Sequence, residues 1–270
     1  MRVLMAAPPA RRVTRLNSLA WSEALLLRRN PLALLIAVGL PVGAVLLLRS
    51  SPELTASVGA EKGAAIVTTV AAVALNLFVY YHLVTSLVAR REELVLKRLR
   101  TGEASDLEIL AGTAAPAVGI AWAQVLLTGL ASAALFGLGL PVNVLLVLVA
   151  LVLGSLVFVV LAAATTPLTR TVELAQLTTT PMLLIPLNLS GLFFPLGDFP
   201  ESLEQLARVL PLTPVVDLLR LGLSGITPDG STVELGGTFA PAVRPVLVLL
   251  AWVIVGGLAT RRWFRWEPRR

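Results

Sequence analysis

No cysteine occurs among the 270 residues, and there is a single histidine, His82. Disulfides, thiol nucleophiles and cysteine-based metal sites are excluded, and so is any multi-histidine site. Charge is scarce: 14% of residues are Asp, Glu, Lys or Arg, against roughly 25% in a soluble domain. Aromatic residues make up only 6%. A G-x-x-x-x-G-K-[ST] loop is also missing, so the chain carries no phosphate cradle of that type. What is present is apolar: 56% of residues are hydrophobic and the mean hydropathy is +0.85. A soluble fold of this composition could not cover its surface with polar groups, so lipid must be part of its solvent.

The apolar residues fall into runs. About 20 residues of helix cross the roughly 30 Å hydrocarbon core of a bilayer. Six such spans are expected, at Pro31 to Leu48, Gly63 to Ala89, Pro116 to Leu138, Val142 to Thr165, Leu174 to Phe194 and Ala242 to Thr260. The uncharged run from Thr113 to Thr169 is too long for one crossing, and Gly137, Gly139, Pro141 and Asn143 divide it. The pI near 10.9 does not indicate nucleic acid, because the basic residues cluster at span ends. Six lie before Asn30, five between Arg90 and Arg100, one at Arg170 and five after Thr260, which places 17 of the 22 on one side. The positive-inside rule puts that side, with both termini, in the cytoplasm. Ahead of the first span, Leu16, Leu19, Ala20 and Glu23 to Leu27 suit a helix lying on the inner leaflet, anchored by Trp21.

Two segments outside the spans stand out. Seven of the eleven residues from Arg90 to Arg100 are charged. Glu93, Lys97 and Arg100 share one helical stripe, with Glu93 four residues before Lys97, the favourable order. Gly102 is a natural stop, and Ser105 with Glu108 forms a capping box that opens the next helix. The acidic members of this segment exceed what topology requires. The second segment, Leu189 to Leu223, contains Gly191, Phe194, Pro195 and Pro200 ahead of a strongly amphipathic stretch. In that stretch Leu203, Leu206, Ala207 and Leu210 lie opposite Glu201, Glu204, Gln205 and Arg208. Asp198 with Glu201 is expected to cap its start and Pro211 to end it. Thr213 is then expected as the N-cap of a second short helix, with Pro214 in its first turn and Asp217 paired with Arg220 three residues on. The pair forms a helical hairpin dipping into the outer leaflet, a depth at which irregular backbone is tolerated only against protein or a water-lined cavity. Within the spans, Asn76, Tyr80, His82 and Ser86, with Asn188, are candidates for lining a pathway.

At these residues a resemblance enters. The loop EELVLKRLRTGEASDLEILAG, from Glu92 to Gly112, resembles the cytoplasmic coupling loop of type-2 ABC exporter permeases. SGLFFPL, the FP-x-x-L-x-x-LA run and PLTPVVDLLR, between Ser190 and Arg220, resemble the same family's external hairpin. The resemblance implies an all-α polytopic membrane protein. It would have six transmembrane helices, an N-terminal interfacial helix, a cytoplasmic coupling helix and an external re-entrant helical hairpin. Residues 1–30 would be the cytoplasmic N-terminus, 31–260 the permease domain with its coupling loop at 90–106 and hairpin at 195–223, and 261–270 a basic tail. It further implies a prokaryotic plasma-membrane permease that dimerises, with itself or a related chain, and works with a separate cytoplasmic ATPase. That partner would bind ATP and Mg, while this chain binds no cofactor and has no catalytic residue. Arg91, Glu92, Glu93, Lys97, Arg98, Arg100 and Gly102 would lie at the ATPase interface. The expected function is outward movement of an amphiphilic cargo such as a drug, antibiotic, lipid or peptide. A polysaccharide-exporting ABC permease and an ion-coupled transporter or channel stand as alternatives. The spans carry no Asp or Glu, which argues against ion coupling and against an intramembrane enzyme.

Overall fold

The computed structural model describes residues 60–93, 106–169 and 171–264, together with Gly39 and Gly43. The expected first span, the interfacial helix, Lys97, Arg98, Arg100, Gly102 and residues 265–270 lie outside the described residues. Among the described residues the fold is helical, with no strand beyond an isolated bridge between Ile226 and Thr232. Four helical stretches are long and apolar enough to cross a membrane, Glu61–Glu92, Asp106–Phe136, Val144–Leu168 and Leu235–Trp263. They correspond to the expected second, third, fourth and sixth spans.

The first stretch is a continuous rod built of α1 (Ala60–Ala74), a π-helical segment (Leu75–Tyr81) and α2 (His82–Glu92). The π segment holds the buried Asn76, whose Nδ2 donates to the Leu183 carbonyl at 2.9 Å. Helix α3 (Asp106–Phe136) has 31 residues, about 46 Å at 1.5 Å per residue. Its first turns, with Asp106 and Glu108, therefore reach past the hydrocarbon. The turn at Gly137 to Asn143 leads into α4 (Val144–Thr165), a 22-residue helix without a charge. Asn143 caps it by accepting from the Leu146 amide.

The far end of the expected fifth span is corrected. Helix α5 (Val172–Asn188) has 17 residues, contains Pro181 and Pro186, and stops six residues before Phe194. Proline withholds a backbone donor from the helical ladder, and Gly191, at φ 78°, turns the chain away. Phe194 is exposed, and Pro195 and Pro200 flank the short 3-10 turn Leu196–Asp198 that leads to α6 (Glu201–Val209). Helices α7 (Thr213–Ser224) and α8 (Phe239–Trp263) follow. Two expected caps are also corrected. Pro200, not Asp198, precedes α6, with no side-chain cap. Thr213 is the first residue of α7 rather than its cap, because its hydroxyl donates to the Ala207 carbonyl at 2.6 Å.

Helix α4 is the hub, packing on α8, α7, the π segment, α2 and α3. The small residues of α4 and α7 set their crossing. A Cβ on Gly154 would come 3.0 Å from Leu75 and 3.1 Å from Val215, and one on Gly222 would come 2.8 Å from Val147. The start of α7 thus lies beside the middle of α4, and its end lies beside the start of α4. Trp252, midway along α8, donates to the Val209 carbonyl at 2.8 Å. Helix α6 therefore enters the bundle and α7 returns to the same end, with Val215, Val216, Leu218 and Leu219 fully buried. Gly225, at φ 69°, closes α7 as a left-handed cap.

Overpacking the α7–α4 contact tests this arrangement. Gly222→Val is expected to lower stability by about 1–3 kcal/mol, seen as a fall in the unfolding midpoint in detergent. Gly119→Val, at a position on α3 with open space around it, is expected to leave the midpoint unchanged.

Candidate functional site

The Arg90 end is built on two arginines at the close of α2. Arg91 is 4% exposed, and it donates to the Thr166 carbonyl at 3.2 Å and to the Thr169 carbonyl. These carbonyls belong to the turn between α4 and α5. Thr166 and Pro167 start a 3-10 turn there, and its last carbonyls need a donor. Arg90 donates to the Thr113 hydroxyl of α3 at 3.2 Å. One short stretch of α2 therefore grips two neighbouring elements, the α4–α5 turn and α3, while Glu92 and Glu93 stay exposed beside them. Leu107, 74% exposed, extends this exposed surface on the first turn of α3. Next to it, a largely apolar cavity of about 200 Å³ opens between Leu87, Leu110, Ala163 and Phe264.

The candidate pathway residues divide into two groups. Asn76 and Tyr80 point into the bundle: Tyr80 is fully buried, packs edge-on against Phe158 at 6.4 Å and accepts from the Thr165 hydroxyl. His82 is exposed, and Thr85 and Ser86, on the same face, are half-buried. Helix α5 packs on α2 and the π segment, and it exposes Gln176, Thr178 and Asn188. The Asn188 amide folds back onto the Leu184 carbonyl at 2.8 Å. Exposed or half-buried polar groups therefore occur on both α2 and α5, interspersed with exposed Leu174, Leu177, Leu184 and Ile185.

The hairpin holds the third group. The polar stripe of α6 forms as expected, with Arg208 bonded to Glu204 at 2.7 Å and Gln205 to Glu201 at 3.3 Å. The Asp217–Arg220 pair does not form. Arg220 instead donates to the Gly191 carbonyl at 2.7 Å, stitching α7 to the chain leaving α5. Pro211 and Pro214 are buried at the base of the hairpin. Asp217 keeps a little surface toward a cavity, but protein surrounds its carboxyl group. Burial pushes its pKa up to about 6, against the opposing pull of Arg220, Arg208 and Arg244.

One residue that holds the site together went unrecognised in the sequence except as a turn breaker. Asn143 is 3% exposed, donates to the Thr238 hydroxyl at 2.8 Å and, through its amide nitrogen, to the Gly222 carbonyl at 2.9 Å. It joins α4, α7 and the approach to α8. An Asn just before an uncharged apolar run was the available signal, as an N-cap.

Four helices long and apolar enough to cross a membrane define a polytopic helical membrane protein. The profile of the family described as ABC-2 family transporter protein matches residues 53–261, most of the chain, and the protein belongs to that family as an ABC-2 type permease. No curated protein matches it.

Two outcomes follow from this geometry. Arg91→Met keeps the bulk but leaves two carbonyls without their charged donor. It is expected to cost about 1.5–3 kcal/mol in detergent unfolding, with Arg91→Lys recovering part and exposed Glu92→Gln staying within about 0.5 kcal/mol of the parent. For Asp217 the folded pKa lies above the ordinary value of 3.8. Stability associated with this group is complete below the unfolded value and is lost as pH rises through 6. Asp217→Asn in lipid-free detergent is therefore expected to unfold at a higher temperature than the parent at pH 7.5. The gap should close as pH falls below 6.

Proposed function

We propose that this permease is the membrane subunit of an ATP-driven exporter, energised by a separate cytoplasmic ATPase that docks on residues 90–106. The observation that carries the reading is the double anchorage of the α2 end. Arg91 grips the α4–α5 turn, and Arg90 grips α3. A push on the charged segment that follows would reach α2, α3, α4 and α5 together rather than bend a slack loop. Glu92, Glu93, Lys97, Arg98, Arg100 and Gly102 form the docking surface in this reading, with exposed Leu107 as its apolar member.

Two copies of the permease pair, and the polar groups of α2 and α5 face the path between them. His82, Thr85, Ser86, Gln176 and Asn188 then meet cargo and water rather than lipid, which removes the cost of exposing them to hydrocarbon. The cargo is amphiphilic, in keeping with a face that mixes these groups with exposed Leu77, Leu177 and Leu184. The basic census orients the Arg90 end toward the cytoplasm. The hairpin of α6 and α7 is then re-entrant from the outer leaflet and closes the far end of the path.

Reversing charge at Glu93 and Arg98 together is expected to abolish co-purification of the ATPase while leaving membrane insertion intact. Normal assembly and transport in that double variant would overturn the coupling role. For cargo, amphiphiles are expected to stimulate ATP hydrolysis of the reconstituted complex at least twofold, and His82→Leu with Gln176→Leu to remove the stimulation but not basal hydrolysis.

A further inference from the structure

Beside the hairpin, at the end of the bundle opposite Arg90, lies a second cavity of about 270 Å³. Its volume is just under the roughly 300 Å³ at which pockets for drug-sized molecules begin, so it suits a headgroup better than a whole cargo molecule. Four charged side chains reach it: Arg208 from α6, Asp217 from α7, Asp229 from the turn that follows and Arg244 from α8. Arg208 is already held by Glu204. Arg220, the natural partner of Asp217, is turned away to the Gly191 carbonyl. Neither Asp217, Asp229 nor Arg244 makes a hydrogen bond or ion pair among the described residues. The cavity thus presents Arg244, Asp217 and Asp229 with no hydrogen bond among them, although Arg208, Arg220 and Arg244 act on Asp217 through space, and Asp217 sits on a helix packed in protein. Burying a carboxylate without a hydrogen-bonded partner is costly, and a ligand cation that donates hydrogen bonds would offset that cost.

The apolar surroundings narrow the choice. Pro241, Pro245 and Val248 wall the cavity. One turn from Arg244, α8 exposes Leu247 at 59%, continuing a strip through Val243, Leu250 and Ile254 toward the middle of the bundle. In a spanning helix such a strip faces hydrocarbon. A ligand matching both parts has acyl chains, an anionic group and a cationic group next to each other. We propose that the cavity seats the headgroup of an amine-bearing phospholipid, its phosphate on Arg244, its ammonium between Asp217 and Asp229, and its chains along the exposed strip of α8. A primary ammonium donates three hydrogen bonds to the carboxylates. A trimethylated ammonium donates none, and a glycerol headgroup carries no cation. The site therefore selects ethanolamine over choline and over glycerol. The inference rests on membrane embedding of α8, and it stands whether or not an ATPase docks at the opposite end.

The test uses the full chain purified in detergent and titrated with dioleoyl phosphatidylethanolamine, phosphatidylcholine or phosphatidylglycerol while the unfolding midpoint is followed. Phosphatidylethanolamine is expected to give a saturable rise at a concentration at least fivefold lower than phosphatidylcholine, and phosphatidylglycerol to give none. Asp217→Asn should erase the preference for ethanolamine over choline. Arg244→Gln should weaken both zwitterionic lipids. Soluble O-phosphoethanolamine should bind at least tenfold more weakly than the lipid; equal binding would mean a site for a small solute and would overturn the lipid assignment. Equal midpoint shifts for the three lipids, or an Asp217→Asn variant that keeps the preference, would overturn it as well. Native mass spectrometry of the unaltered protein in an equimolar mixture of the three lipids reads the same selectivity without any variant. Unselective retention there would be equally decisive against it.

Discussion

A short helix buried among apolar side chains has polar backbone ends that need partners from elsewhere in the protein. In this protein the ends of α7 are met by protein. At its start, the Thr213 hydroxyl returns to the Ala207 carbonyl, and the Val216 amide bonds the Leu212 carbonyl. At its end, the Gly222 carbonyl accepts from the Asn143 amide, and the Gly225 amide caps back onto Leu221. Arg220 reaches across to Gly191. With those groups satisfied, the leucines and valines of α7 are free to be core, and α4 and α8 pack around them. A surface helix by length has become the centre of the bundle's hairpin end.

The opposite end uses the same economy with charge. Arginines at the edge of a membrane protein are commonly explained by topology alone. Here Arg91 is buried and spent on two carbonyls of another turn, and Arg90 bonds a threonine on α3. Buried charges are retained where several hydrogen bonds satisfy them, and a guanidinium is suited to bridging two carbonyls on one turn. Basic residues of the kind the positive-inside rule counts thus also tie the Arg90 end to other elements of the bundle. Rigidity is the mechanical requirement for passing a push from a partner into the spans.

Between the two ends, polarity is distributed unevenly, and that unevenness carries the functional argument. Tyr80 and Asn76 are absorbed by packing, while His82, Gln176 and Asn188 remain exposed. Asp217 remains in a cavity with its nearest arginine engaged elsewhere. Groups of this kind are expensive inside a membrane, and the proposals give each a partner: a second permease copy and cargo for the exposed polar groups, a lipid amine for the cavity.

Much of this was legible in the chain. Uncharged runs of about 20 residues are required for crossing, so four spans and the breaks at Gly137 to Asn143 could be located by composition and spacing alone, while the two motifs were read through a family resemblance. The stripe of α6 followed from its i, i+4 pattern, because side chains that close together on one helix must meet. What the chain did not disclose was partner choice across elements. Three-residue spacing placed Asp217 near Arg220, but the carbonyl of Gly191, 29 positions away, won the guanidinium once α5 ended early. Two internal prolines and a left-handed glycine shortened α5, yet only packing showed where its end would lie. Asn143 looked like a turn residue, and became a joint between three helices because the fold brought Gly222 and Thr238 to it. Periodicity and charge are properties of neighbours along the chain, and these the sequence by itself determined. Which distant backbone group satisfies a buried side chain depends on how the helices pack, and that only the tertiary structure decided.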